Sequence, residues 1–194
     1  MRMQDLTDRL ARWEHLGLTV FDSGTRLYGA RSEGKPLGWL HHVCCRLEKA
    51  RLDAFADENP FQKAFRYPDQ WEEFNGAYLF TRALCLYGPN RGKPQYASDW
   101  PYDIVSHNVG YDDLTSRCDG LIIGGANMKR KSYFYIETRR GEVLAIDHDT
   151  SDQVFAWPDY ETFVTSEIDR LNRIFDADGQ PPPDIAEIAF STGA

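Results

Sequence analysis

Residues 72–80, EEFNGAYLF, constrain the fold more than any other stretch, because their Asn-Gly pair fits two different structures. Between apolar residues, Asn-Gly is typical of the tight turn of a β-hairpin. The preceding residues do not alternate as a strand does, since Trp71 and Phe74 lie three apart and would share one face of a helix. We therefore predict that Asn75 and Gly76 end a helix, in a left-handed conformation, and that a strand follows.

Three other segments carry the apolar period of about 3.6 residues that predicts a helix. They are residues 4–16, residues 39–55 and residues 159–175. The third has the most sustained apolar face, and Asp159 is placed to cap its first turn. A glycine and three prolines follow this segment, and they are expected to end the helix before a C-terminal tail at 180–194.

Strands are predicted mainly in the second half of the chain. SYFYIET, residues 132–138, alternates in polarity, and EVLAID, residues 142–147, follows a Gly-containing turn, so the two predict a β-hairpin. GLIIGG, residues 120–125, is a short apolar run that predicts another strand, and residues 26–28 predict a further short one. Residues 89–119 contain three prolines and are expected to be loops.

HHVCC, residues 41–45, has the residue types of a metal site. On a helix, His41 and Cys45 would lie four apart on one face and could share an ion. A structural zinc needs four ligands, however, and no second pair is visible at a suitable spacing. Free cysteine is commonly a small buried hydrophobe, so we expect no bound metal and no other cofactor.

Two further motifs resemble ligand-binding loops and lack essential residues. GPNRGKP, residues 88–94, has three residues between its glycines where the Walker loop needs four, and Pro94 replaces the Ser or Thr that holds magnesium. DHDTSD, residues 147–152, begins like a calcium loop but places Asp152 where that loop needs glycine. Motifs of the G-x-S-x-G and H-E-x-x-H kinds are also missing, so we do not expect an enzyme.

Charge is distributed unevenly along the chain. Residues 142–194 contain 12 acidic and 2 basic side chains, whereas residues 1–141 contain 18 acidic and 20 basic ones. An acidic C-terminal third disfavours nucleic acid as a partner, because carboxylates and phosphates repel each other. It favours a basic protein partner, and the alternative is a solvated surface with no partner.

The compartment is inferred from cysteine usage and hydropathy. The four cysteines, at positions 44, 45, 85 and 118, do not form a secreted disulfide pattern, so reduced thiols are expected. No apolar run approaches the roughly 20 residues of a membrane helix. We therefore expect a soluble cytoplasmic protein of one domain, with no membrane partner.

Four stretches, taken in order, resemble the SUKH superfamily, which includes the yeast cell-wall assembly regulator and killer-toxin-resistance proteins. YPDQWEEFNGAYLFTRALCLYGPN, residues 67–90, resembles its Pro-led helix, Asn-Gly pair and following strand. DGLIIGG resembles its Ile-Gly strand, YFYIETRRGEVLAIDHD its strand pair, and AWPDYETFVTSEIDRL its closing helix. The resemblance covers residues 66–176 of a domain placed at 1–179. GANMKRKS departs from the turn that many members have after Ile-Gly.

The resemblance implies an α+β fold with a mostly antiparallel sheet of about five to six strands packed by helices. It also implies an immunity protein that binds and neutralises a cognate toxin, such as a nuclease, without catalysis. The alternatives are an intracellular scaffold or regulator of the same fold, and an enzyme with an unrecognised site. Because nuclease surfaces are basic, acidic side chains with aromatic anchors are the candidate contacts: Asp112, Asp113, Asp119, Asp147, Asp149, Asp152, Trp100 and Tyr102.

Overall fold

The structure is a computed structural model, and it describes residues 1–30, 39–59, 69–89, 102–128 and 131–183. Within these stretches, nine strands form one sheet, and its order follows the chain from β1 to β9. Every neighbouring pair is antiparallel. The strands are β1 (Leu18–Val20), β2 (Arg26–Ala30), β3 (Trp39–Val43), β4 (Ala77–Leu79), β5 (Leu84–Leu86), β6 (Gly120–Met128), β7 (Lys131–Thr138), β8 (Val143–Asp147) and β9 (Gln153–Trp157).

Five α-helices in the described stretches accompany this sheet. They are α1 (Met3–Leu10), α2 (Lys49–Glu58), α3 (Ile104–Gly110), α4 (Asp112–Cys118) and α5 (Tyr160–Ile174). The fold is therefore α+β with an antiparallel sheet, as predicted. The predicted number of five to six strands is too small, because residues 17–43 supply three short strands and β9 was not predicted.

The prediction of one helix over residues 39–55 is wrong for the first part of that segment. Residues 39–43 form strand β3, and α2 begins only at Lys49. Leu40, His41 and Val43 are all buried, because β3 lies inside the sheet between β2 and β4. A strand buried on both faces shows no alternation of polar and apolar residues, so its sequence can match a helical period by coincidence.

Residues 89–119 are not all loop, which is a second correction. Helices α3 and α4 occupy most of the described part, and Asp103 caps α3 by accepting hydrogen bonds from the backbone N–H groups of Val105 and Ser106. Asn108 then ties α3 to the sheet. Its side chain accepts from the N–H of Ile122 at 2.8 Å and donates to the carbonyl of Ile122 at 2.9 Å. The register between β6 and β7 shifts just after Ile122.

The predicted helix exit at Asn75 and Gly76 is confirmed only in part, because the helical segment ends at Glu72 and, of the pair, Gly76 alone has a positive φ. A 3₁₀ turn at Asp69–Glu72 places Trp71 and Phe74 in the core. Gly76 has φ of 85°, and β4 begins at the next residue. The side-chain amide of Asn75 donates to the carbonyl of Pro89. A residue that follows β5 therefore also helps to fix the turn between the 3₁₀ segment and β4.

The two faces of the sheet are covered by different helices. Tyr135 of β7 packs against Phe163 of α5 with ring centroids 4.5 Å apart. The next residue back along the strand, Phe134, points to the opposite face and packs against Tyr111, between α3 and α4. We call these the α1/α5 face and the α3/α4 face.

On the α1/α5 face, helix α1 and the 3₁₀ segment after it pack against α5. Trp13 donates from Nε1 to Oδ1 of Asn172 at 2.7 Å, and Asn172 donates to the carbonyl of Arg9 at 3.2 Å. Arg9 also forms an ion pair of 2.6 Å with Asp169. These bonds join two elements that are about 160 residues apart in the chain.

Candidate functional site

The candidate site is a pocket on the α3/α4 face with a volume of about 290 Å³. Its walls come from residues 110–114 and Arg117 of the α3–α4 region, from Phe134 of β7, and from His148 and Ser151 of the β8–β9 turn. Three separate parts of the chain therefore meet at one concavity, which is a common property of ligand and partner sites.

Three aromatic rings form one wall of the pocket. The ring centroid of Tyr111 lies 4.6 Å from that of Phe134, and the ring of His148 lies 5.1 Å from Phe134 and 5.9 Å from Tyr111. Phe134 is 7% exposed, whereas Tyr111 is 39% exposed. The pocket therefore has a buried aromatic floor with a more exposed tyrosine above it.

A short chain of polar contacts orients the exposed rings. The carboxylate of Asp149 only accepts hydrogen bonds, so Nδ1 of His148, 3.4 Å away, is the donor of that pair. In the neutral ring this leaves Nε2 to accept from the Tyr111 hydroxyl at 3.2 Å. The lone pairs of the tyrosine oxygen consequently remain available to a ligand.

Two of the segments that form the pocket carry acidic residues. Asp112 and Asp113 begin α4 and line the pocket directly. Asp147, Asp149 and Asp152 belong to the β8–β9 connection that also supplies His148 and Ser151. Two of the eight residues predicted as partner contacts thus line the pocket, and three more belong to the connection that supplies His148 and Ser151 to it.

The β8–β9 turn is held in a fixed shape by its own carboxylate. Asp147 accepts from the backbone N–H groups of Asp149 at 2.9 Å and Thr150 at 3.1 Å, and these bonds lower the pKa of Asp147 below its ordinary value. Across the pocket, Arg117 donates from Nη2 to the carbonyl of Ser151 at 3.2 Å. This bond links α4 to the turn and places one positive charge among the acids.

The other three predicted contacts lie elsewhere. Asp119 follows α4 in a left-handed conformation and forms an ion pair of 2.8 Å with Arg139 in the β7–β8 turn, at the opposite end of β8 from Asp147. The prediction that Asp119 lies in a loop is wrong, because this residue caps the end of α4. Trp100 lies outside the described residues.

Tyr102, the remaining predicted anchor, belongs to a second aromatic cluster on the sheet. Its ring is half-buried and meets that of Tyr78 edge-on at 4.8 Å, and the guanidinium of Arg82 lies 5.8 Å from its centroid. Arg82 is equally close to the Tyr78 ring, at 5.9 Å. The faces of these rings already hold a cation of the same chain, so this cluster is less suited to a foreign one.

HHVCC does not form the metal-binding face considered above. His41 lies on β3 and its Nδ1 accepts from the backbone N–H of Phe80, while the backbone N–H of Cys45 donates to Thr25 Oγ1. None of the four cysteines, all of which lie in the described residues, forms a disulfide bond. In the described part of the chain, no group of three or more His, Cys, Asp or Glu side chains is placed to hold a metal ion.

The pocket is open to a ligand, and the hydrogen bond between the Tyr111 hydroxyl and His148 is also a path for a proton. A catalytic role would require these groups to be shielded from water, because exposed charges are strongly screened. The side chains of His148 and Asp149 are 40% and 79% exposed. Both side chains are therefore open to solvent and to a ligand at the pocket.

Comparisons with family models, with curated proteins and with solved structures find no match to the chain. Across the described residues, none of the helices combines the length and the apolar character needed to cross a bilayer.

Sequence reasoning missed the aromatic floor of the pocket and the helices that frame it. Tyr111, Phe134 and His148 are far apart in the sequence, and Phe134 looks like an ordinary core residue of a strand. One local signal was present: Asp103 followed three residues later by Ser106 is a pattern that can begin a helix. It would have revealed α3 but not the contact between α4 and the β8–β9 turn.

Proposed function

We propose that the chain is a non-enzymatic, protein-binding immunity protein that neutralises a cognate toxin with a basic surface, in the cytoplasm and without nucleic acid or membrane partners. One observation carries the proposal: Asp112 and Asp113 on α4 and the acidic β8–β9 turn border the same pocket. Carboxylates grouped in this way attract a basic protein and speed its association.

Two further features support a protein partner. The Tyr111 side chain is exposed beside a buried ring, which gives the surface an aromatic centre with a charged rim. This is the usual composition of the energetically important part of a protein interface. The resemblance of residues 66–176 to SUKH proteins, many of which are immunity proteins, points to the same class.

The test is co-expression with the product of the adjacent gene, followed by binding kinetics with that product. The variant changes Asp147, Asp149 and Asp152 together to Asn, which removes three charges but keeps an oxygen that can accept the hydrogen bonds of the turn. We expect the parent chain to rescue growth, and the variant to associate about tenfold more slowly at low salt. The difference should shrink as salt is added.

A matched control removes the same number of charges elsewhere. Asp53→Asn, Asp57→Asn and Glu72→Gln lie on α2 and the adjacent 3₁₀ turn, away from the pocket, and all three side chains are exposed. This control should rescue and associate like the parent chain. Failure of the parent chain to rescue, or equal kinetics for both triple variants, would contradict the proposal.

A further inference from the structure

The pocket has the shape and the polar groups to hold one side chain rather than a flat surface. Its volume of about 290 Å³ is at the lower end of ligand-sized cavities. Its floor, Phe134, is 7% exposed, so a group entering the pocket leaves water and contacts a ring. Two carboxylates at the amino end of α4, those of Asp112 and Asp113, belong to its lining.

The groups that face the pocket favour a cation with hydrogen-bond donors. The Tyr111 hydroxyl donates to His148, so its oxygen presents lone pairs to a guest. Asp112 and Asp113 contribute two negative charges to the lining, and Arg117 contributes one positive charge. Because Asp149 is bonded to His148, a third carboxylate lies next to the ring wall.

We propose that this pocket receives a single arginine side chain of the protein partner, with the guanidinium between the aromatic rings and the carboxylates of Asp112 and Asp113. The inference rests on the proposed function for the identity of the partner, but not for the chemistry of the pocket. A guanidinium is planar and weakly hydrated, it stacks on aromatic faces, and it donates in several directions at once.

The same properties separate arginine from other guests. A lysine ammonium is compact and strongly hydrated, so it gains less from the rings of Tyr111 and Phe134. An apolar side chain would leave the tyrosine oxygen and the carboxylates without a donor, and an anion would meet them directly. Arg117 opposes any cation, so neutralising it should strengthen binding of arginine.

The experiment titrates Nα-acetyl-arginine amide into the whole chain and follows the ring signals of Tyr111 and His148 by NMR. Capped citrulline, which has the same shape without the charge, and capped lysine are the comparison ligands. We expect saturable shifts with arginine, with an affinity at least about fivefold above that of citrulline and about threefold above that of lysine.

Variants decide whether the signal comes from this pocket. Asp112→Asn with Asp113→Asn, and separately Phe134→Leu, should each weaken arginine binding at least about threefold. Arg117→Gln should strengthen it, a direction that simple damage to the fold would not produce. Asp57→Asn on α2 is the matched charge control and should leave the affinity unchanged. Backbone amide spectra report whether each variant is folded.

Equal binding of arginine and citrulline, or equal losses in the pocket variants and in Asp57→Asn, would overturn the inference. These results are separate from the test of the proposed function. Neutralisation of the toxin by a chain that does not bind capped arginine would remove the arginine pocket alone. Arginine binding by a chain that neutralises no toxin would remove the proposed function alone.

Discussion

The backbone N–H of Phe80 donates a hydrogen bond of 3.1 Å to Nδ1 of His41, and both side chains are fully buried. Their rings meet edge-on with centroids 4.5 Å apart. The bond begins an unusual turn, because Phe80, Thr81 and Arg82 all have positive φ values, of 52°, 52° and 76°. Non-glycine residues rarely adopt this conformation, so His41 helps to hold a strained connection between β4 and β5.

The buried His41 should make the protein less stable in mild acid. Burial lowers the pKa of His41 to about 3, whereas an unfolded histidine has its ordinary value near 6.5. Between these two pKa values the unfolded chain binds more protons than the folded chain. The stability that the neutral His41 contributes is therefore complete above about pH 6.5 and is lost as the pH falls. We expect His41→Asn to remove a slope of about 1.4 kcal/mol per pH unit in urea unfolding between about pH 4 and 5.5.

The asparagine variant keeps an oxygen that can accept from Phe80, so it tests titration more than the loss of a bond. The same substitution at His148, whose side chain is exposed, is the matched control. An unchanged pH slope in His41→Asn would show that the imidazole is not held neutral by the core.

Glu137 should act in the opposite direction. Burial of this half-buried carboxyl raises its pKa to about 7, above the value of 4.5 of the free side chain. The folded state therefore binds more protons than the unfolded state between these two pKa values. The stability contributed by the protonated Glu137 is present below about pH 4.5 and is lost as the pH rises through 7. We expect Glu137→Gln to gain on the order of 1–2 kcal/mol relative to the parent chain between about pH 4.5 and 8.

This gain is measured as the change in the free energy of unfolding with pH for the variant minus that for the parent. Glu142→Gln, an exposed neighbour in the next turn, is the control. The Glu137 and His41 windows overlap, and the two slopes partly cancel in the parent chain, so only such differences are informative. Parallel pH curves for Glu137→Gln and the parent would exclude a raised carboxyl pKa.

Gly76 should resist any side chain. Its φ of 85° is a conformation that alanine adopts only with strain, and the residue is buried where the chain enters β4. We expect Gly76→Ala to reduce the free energy of unfolding by about 1 kcal/mol or more. Gly110→Ala is the matched control, because Gly110 is helical and a Cβ there would contact nothing within 4 Å. A denaturant midpoint that stays the same in Gly76→Ala would contradict the left-handed exit.

A buried ion pair lies in α5. Arg170 donates from Nε and Nη2 to the two oxygens of Glu167, at 2.9 and 2.7 Å, and the residues are 5% and 2% exposed. Removing one partner leaves the other charge in the core, so Arg170→Met should cost about 3 kcal/mol or more. Glu167→Leu combined with Arg170→Met removes both charges, and we expect it to lie within about 1.5 kcal/mol of the parent chain.

The exposed pair Arg2 and Asp5 has the same spacing in sequence and is the control for this experiment. Arg2→Met should leave the denaturant midpoint nearly unchanged, since surface ion pairs contribute little. If the variant with both α5 substitutions were less stable than Arg170→Met alone, the ion pair would do more for the fold than neutralise two buried charges.

Long elements with a single dominant pattern were predictable from the sequence. Helix α5 was expected at residues 159–175 and is found at Tyr160–Ile174, with Asp159 accepting from the N–H of Thr162 at 2.7 Å. The hairpin of β7 and β8 was equally clear, because one strand alternates and a Gly-containing turn follows. In both cases the local preference and the packing required by the fold agree.

The short elements were not predictable, and the site depends on them. Helices α3 and α4 have seven residues each, too few to show a period, and α3 is attached by the two bonds between Asn108 and Ile122. That attachment helps to place Tyr111 against Phe134. The sequence drew attention to Asp112 and Asp113, which line the pocket, but the rings beside them could not be predicted, because their contact is set by tertiary structure.

The bonds between α1 and α5 have a consequence for synthesis on the ribosome. Strands that pair in chain order can add to the sheet one after another as they emerge. The N-terminal region finds some partners early, since Trp13 packs against His41 and Phe80. Its bonds to α5 form later, because Trp13 and Arg9 bind Asn172 and Asp169, which are translated about 160 residues later. Until then the indole N–H of Trp13 and the guanidinium of Arg9 lack these partners in α5. The nascent chain closes its α1/α5 face last.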